Sequence, residues 1–224
     1  DWVLPIHAGP EIGVASTKAF LGQMMVLYLL CLKLGALKKD LSQNEYQNKI
    51  KNLIKVPSLL EECLKTENNI QVIARDFLDA KGSMFLGRGM SFPIALEGAL
   101  KLKELSYLHA EGYPGGEMKH GPLALIEDGL PVIILAPNDK YFKKTISNMQ
   151  EVIARGGKIL LITDEKNDVI NENIRFNIKV PAVENSLSPF FLTVPLQLLA
   201  YHVALLKKCD IDKPRNLAKS VTVE

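Results

Sequence analysis

A chain of 224 residues, 47% apolar and 23% charged, is long enough for one large globular domain or one domain plus part of another. A net charge of +2 gives no reason to expect nucleic acid or an anionic membrane surface as a partner. Cys31, Cys63 and Cys209 are scattered, with no CxxC pair and no metal-ligand spacing, so free thiols in a reducing compartment are the expectation.

The opening WVLPIHAG reads as a strand carrying Val3, Leu4 and Ile6 into a turn at Gly9-Pro10. Nothing upstream pairs with it, so the chain is expected to begin inside a domain. Residues 10–18 form a small-residue loop. Ser16 or Thr17 is placed to cap the apolar helix that follows over residues 18–34, and the same position suits an anion or a sugar hydroxyl. Residues 44–65 are helical, and Pro57 predicts a kink or two helices. A short helix is predicted over 69–79. From Lys81 the pattern becomes strand, glycine turn and helix. Strands follow at 131–136, 158–163 and near 174–180, with helices at 140–155 and 189–206.

Apolar strands alternating with helices predict an α/β fold with a mainly parallel sheet covered on both faces. Ligands in such folds sit beyond the carboxyl ends of the strands. The loop Gly87-Arg88-Gly89-Met90-Ser91 falls there and could cradle a phosphate, but a turn serving only geometry is an equal reading. Two apolar runs, 19–32 and 187–206, are read as buried helices of a soluble core. The first is short for a membrane span, and the second holds Pro189, Pro195, Gln197 and His202.

The richest chemistry lies in residues 94–122. Glu97, Lys101 and Glu104 fall at steps of four and three, so a helix puts all three on one face. A glycine-rich bend at 112–116 follows, then Glu117, Lys119 and His120. Carboxylates, a lysine and a histidine in one stretch suit proton transfer at a carbon beside a carbonyl. The plain alternative is a solvated helix face with ordinary ion pairs, each worth about 0.3–0.5 kcal/mol. Ala95, Leu96, Ala99, Leu100, Leu102 and Leu105 surround much of this helix, which favours burial, and buried charges need partners.

The motifs GPEIGVASTKAF, ALEGALKLKELSYLHAEGYPGGEMKHGPLALI and DKPRNLAKSVTVE carry a resemblance along the whole chain. They resemble the glucosamine-6-phosphate synthase family, the isomerizing glutamine–fructose-6-phosphate aminotransferases, in the isomerase part built from two SIS subdomains. The resemblance implies a three-layer SIS fold. Residues 1–35 would be the end of a truncated first SIS subdomain, 36–79 a helical connector, 80–208 the second subdomain and 209–224 a tail or lid. Glu104 matches the acid/base that moves a proton between C1 and C2. Lys219 matches the tail lysine that forms an imine with C2 of fructose 6-phosphate. Lys101 matches a lysine beside the acid/base, and His120 the ring-opening histidine that reaches the site from a neighbouring subunit. Val14, Ser16 and Ala218 match substrate-contacting positions, and Arg215 lies in the same tail.

The family further implies conversion of fructose 6-phosphate and ammonia to glucosamine 6-phosphate in amino-sugar biosynthesis, in the cytoplasm. It implies a homodimer with shared active sites and a glutaminase domain in the full-length protein, with no nucleic acid or membrane partner. It calls for no metal and no cofactor, since a cationic imine at C2 acidifies the neighbouring C–H. The N-terminal cysteine nucleophile of the glutaminase and the phosphate-binding loops of the first subdomain would fall upstream of residue 1. The chain alone is therefore expected to be weakly active or inactive. Two other readings remain open: a SIS-domain sugar-phosphate deaminase or isomerase, and a non-catalytic phosphosugar-binding module.

Overall fold

The computed structural model describes residues 2–164, 166, 169 and 172–220. The last four residues of the SVTVE motif lie outside them. The chain starts with an irregular segment, then α1 (Lys18–Leu37), α2 (Gln43–Ile54), α3 (Val56–Leu64) and α4 (Glu67–Ala74), which runs on through a 3-10 turn at Arg75–Phe77. Pro57 stands in the first turn of α3, where its missing N–H costs nothing, so it separates two helices. Ser42 and Glu45 form a capping box that starts α2.

Strand β1 (Gly82–Gly87) opens the sheet. It is followed by α5 (Ser91–Ser106), β2 (His109–Pro114), β3 (Pro131–Ala136), α6 (Phe142–Ile153), β4 (Lys158–Asp164), β5 (Ile174–Val180) and α7 (Ser188–Leu206). The five strands pair in the order β2-β1-β3-β4-β5, every pair parallel. β3 is buried along its whole length, and β1 and β4 all but their first residues, as continuous apolar runs between two helical layers require. One core, with Phe85, Ala99, Leu102, Ile133, Phe191 and Leu199, joins the sheet to α5 and α7. The other, with Met84, Leu86, Met118, Val132 and Met149, joins it to α6. α5 and α7 approach closely at Gly98, where a Cβ would stand 2.6 Å from Leu196 Cδ1.

Three expectations need correcting. Residues 2–9 form no strand, because no described segment offers them a ladder. The bend placed at 112–116 starts only at Gly115, because residues 112–114 belong to a full strand, β2, which occupies one edge of the sheet. An edge strand pairs on one side only, so His, Glu, Gly and Pro in HAEGYP are tolerated there. The helix over 19–32 is also not a buried one. Only Leu32 of α1 is buried, while Leu27, Leu29, Leu30 and Leu34 are exposed. α1 touches the body through a single stripe that includes Phe20, Leu21, Met24 and Tyr28. Glu184 helps fix that stripe by accepting hydrogen bonds from Tyr28 Oη at 2.7 Å and Ser186 Oγ at 2.6 Å. By length and composition α1 and α7 are apolar enough to cross a membrane, and two thirds of the α7 window is buried inside the fold.

Candidate functional site

α5 delivers the first half of the site. A helical pitch stacks Glu97, Lys101 and Glu104 on one face, and the structure brings them together. Lys101 Nζ donates to Glu104 Oε2 at 2.6 Å and lies 3.5 Å from Glu97 Oε1. Its side chain is 4% exposed, against 22% for Glu104. The face is therefore not a solvated one: a buried ammonium bridges two carboxylates. Burial pushes the Glu97 carboxyl above the usual range, Lys101 counteracts this, and the Glu104 charge adds to it. At 3.5 Å the attraction of Lys101 is electrostatic, and Glu97 Oε1 has no hydrogen-bond partner of adequate geometry.

The second half comes from irregular backbone at opposite ends of the sequence. The Val14 N–H donates to the Asp212 carbonyl at 2.9 Å, which fastens the loop before α1 to the tail. Lys219 Nζ reaches the same loop, donating to Glu11 Oε2 and to the Gly13 carbonyl, both at 2.9 Å. Val14, Ser16 and Lys219 thus belong to one cluster, with Val14 and Ser16 half-buried. The expected cap differs. Thr17 occupies the N-cap of α1 without a side-chain cap, and Glu11 serves instead, accepting the N–H groups of Thr17 at 2.9 Å and Ala19 at 3.3 Å. Burial alone would raise the Glu11 carboxyl. Donation from Thr17, Lys219 and Ala19 outweighs it and lowers the group to about 2. Glu11 was not among the sequence candidates, because an acid six residues before the N-cap has no standard capping spacing.

The two halves meet where the tail crosses the end of α5. Leu100, Lys103, Glu104 and Tyr107 face Arg215, Asn216 and Leu217 across a cleft of about 340 Å³. Ala218 follows directly and is exposed. Tyr107 was likewise missed. It caps α5 in a left-handed conformation, a feature that no residue pattern announces.

His120 stands apart. It sits in a 3-10 turn with its side chain 75% exposed and 3.9 Å from Glu117, and shares no hydrogen bond or ion pair with the groups above. The Gly87–Ser91 loop also takes no part. It lies at the carboxyl end of β1, where the strand order reverses, and it is closed from within. Arg88 Nε and Nη2 donate to Asn148 Oδ1 at 3.0 and 2.8 Å, and Nη2 also donates to the Gly115 carbonyl at 3.2 Å. The ring of Tyr141 packs where a Gly89 side chain would stand, and a Cβ on Gly87 would meet the Ser91 carbonyl oxygen at 2.4 Å. These contacts give the turn's glycines a geometric reason of their own. The carboxylate cluster runs from the middle of α5 toward its other end, away from this turn.

Known proteins share the sequence and fold that carry this arrangement. The SIS domain profile matches residues 76–207. A protein of Bartonella henselae named glutamine–fructose-6-phosphate aminotransferase [isomerizing] is 52% identical over 225 residues, covering 100% of this chain and 37% of that protein. One of the same name from Zymomonas mobilis is 51% identical, with the same coverages. The chain thus spans little more than a third of the length of the curated relatives it matches. Among solved structures, the C-terminal domain of glucosamine-fructose-6-phosphate aminotransferase from Francisella tularensis superposes with a TM-score of 0.89 at 45% identity, over 92% of this chain and 58% of that one. A glucosamine-6-phosphate deaminase from Thermotoga maritima, 24% identical, shares the fold with a TM-score of 0.68 over 95% of this chain and 59% of that one. Sheet order, helical layers and these matches together show that the chain belongs to the SIS-domain family.

Proposed function

We propose that this chain is the sugar-isomerising part of a glutamine–fructose-6-phosphate aminotransferase. Its reaction would join fructose 6-phosphate and ammonia to give glucosamine 6-phosphate for amino-sugar synthesis in the cytoplasm. Glutamine hydrolysis would belong to the remainder of a longer protein. One observation carries the reading: Glu104 borders a cleft whose opposite wall is the tail leading to Lys219. A proton-relay carboxylate facing, across a sugar-sized space, the segment that carries an amine nucleophile supplies the parts of an imine-assisted isomerisation.

In this reading Lys219 first leaves Glu11 and the Gly13 carbonyl and gives up a proton. Its nitrogen bonds to C2 of the open-chain ketose, and the carbonyl oxygen departs as water. Ammonia then displaces the lysine at C2, so the nitrogen stays on the sugar. Glu104 takes the proton from C1 and returns it to C2, while the O1 hydroxyl proton passes to the imine nitrogen, leaving an amine at C2 and an aldehyde at C1. Lys101 orients the Glu104 carboxylate through the 2.6 Å bond and balances its charge throughout. Val14, Ser16 and Ala218 would contact the sugar. His120, exposed and not bonded to the other groups, would open the sugar ring in the site of a second subunit, and the working unit would then be a homodimer.

The test is borohydride trapping with fructose 6-phosphate in the full-length protein, read by peptide mass spectrometry. An adduct on Lys219 is expected, and an adduct confined to another lysine would overturn the assignment. Glu104→Gln should keep the adduct and lower isomerisation by roughly 10²- to 10⁴-fold. A phosphosugar-binding module would have no turnover to lose.

A further inference from the structure

α5 ends on an unusual residue. Tyr107 has φ 60° and ψ 12°, the left-handed region that glycine or asparagine normally fills at a helix end. A bulky side chain is uncommon there, and such strain persists only where surrounding contacts impose it. The contacts are visible. Tyr107 Oη accepts the backbone N–H of Arg215 at 2.8 Å, and the Arg215 guanidinium lies 4.1 Å above the centre of the same ring. Pro214, the preceding residue, is buried. Tyr107 and Arg215 both line the cleft that Glu104 borders.

We propose that Tyr107 is a positioning residue: it docks the tail on the end of α5 and thereby sets the separation between Glu104 and Lys219. The inference rests on the roles given to those two residues above. Tyr107 itself follows Glu104 by three positions, and Arg215 precedes Lys219 by four. A right-handed residue at 107 would continue the helix and carry the ring away from the tail. The left-handed turn aims it there. The tail has further anchors on either side, the Val14–Asp212 backbone bond upstream and the Glu11–Lys219 pair downstream. Loss of the tyrosine contact would therefore shift the tail without freeing it. Misplacement of that kind lowers the rate at saturating sugar and leaves the sugar's affinity nearly unchanged.

Trypsin reads the docking directly on this chain, with no sugar present. It cleaves after Arg215, while Pro214 blocks cleavage after Lys213. Tyr107→Phe removes only the hydroxyl acceptor and should speed cleavage at Arg215 severalfold. Tyr107→Leu removes the ring as well and should speed it about tenfold or more. Tyr107→Gly removes both contacts but relieves the left-handed strain, so it should cleave fast while its Tm stays level or rises. That pairing separates docking from a loss of folding. Cleavage at the wild-type rate in Tyr107→Leu overturns the docking. In the full-length protein Tyr107→Leu should lower kcat roughly 10- to 100-fold with KM within twofold. Fast cleavage with unchanged kcat overturns the positioning role. Full turnover by Lys219→Met fails the proposed function instead, whatever trypsin reports at Arg215.

Discussion

Glu97 on α5 and Glu11 ahead of α1 are both carboxylates facing a lysine, yet their acidities move in opposite directions. Glu97 is set in a regular helix, with Lys101 at 3.5 Å, the Glu104 charge nearby and one oxygen without a hydrogen bond, and burial raises it. Glu11 sits in irregular backbone. Burial raises it too, but two helix N–H groups and the Lys219 ammonium converge on it and bring it to about 2. The nearby cation alone therefore does not decide acidity: the number of donors aimed at the oxygens does. A helix fixes side-chain positions at intervals of one turn and leaves little freedom to add donors. A loop can wrap its own backbone around a charge.

The largest effect should come from removing the cation that α5 depends on. Lys101→Met leaves Glu97 and Glu104 facing each other half-buried, and should cost about 3–5 kcal/mol in urea unfolding. Adding Glu97→Gln to that variant should recover part of the loss, and no recovery would show that the two carboxylates do not repel. Next comes acid titration of the thermal midpoint. Because Glu11 in the folded chain lies below its ordinary value, its contribution is complete above pH 4.5 and is lost as pH falls toward 2. Glu11→Gln should flatten that acid limb. Glu97 has the opposite sign, since its raised pKa favours the fold when the carboxyl is protonated and that benefit fades as pH rises. Glu97→Gln should leave the fold more resistant to rising pH between the ordinary and the raised value. If both variants shift the limb the same way, the contrast between the two sites fails. Gly98→Ala is a smaller change on the rigid side. Its methyl would meet buried Leu196 and Phe85, at a cost of about 1–3 kcal/mol in calorimetry despite the gain in helix propensity. Ser16→Ala, on the half-buried loop, should stay within about 0.5 kcal/mol in the same experiment.

Much of the scaffold was readable because burial on both faces writes long apolar runs. β1, β3, β4 and α7 announce themselves that way, and Pro57 correctly divides α2 from α3. β2 did not, since an edge strand escapes that demand and HAEGYP carries none of the usual signals. The opening apolar residues misled for the converse reason: Val3 and Leu4 suit a strand, but a strand needs a neighbour. Within the site, the Glu97–Lys101–Glu104 face followed from helical spacing alone. Glu11 and Tyr107 could not, because one acts through backbone folding over it and the other through a backbone angle. The Gly87–Ser91 turn shows the limit of a fold-level rule. Its strand-end position is the usual ligand site, yet Arg88 and Tyr141 fill it.

The bond between Lys219 and Glu11 joins residues 208 positions apart. Closing so long a loop carries an entropic cost that only a prior framework can offset, so this contact forms after the sheet is in place. During synthesis the consequence is a strict order of assembly. A nascent chain that has emerged only to α7 already holds the Glu97–Lys101–Glu104 group in its helix, and the lysine that would complete the site is still inside the ribosome. The two halves come together only once the tail has followed α7 out, which ties the placement of the Lys219 amine to the completion of the fold around it.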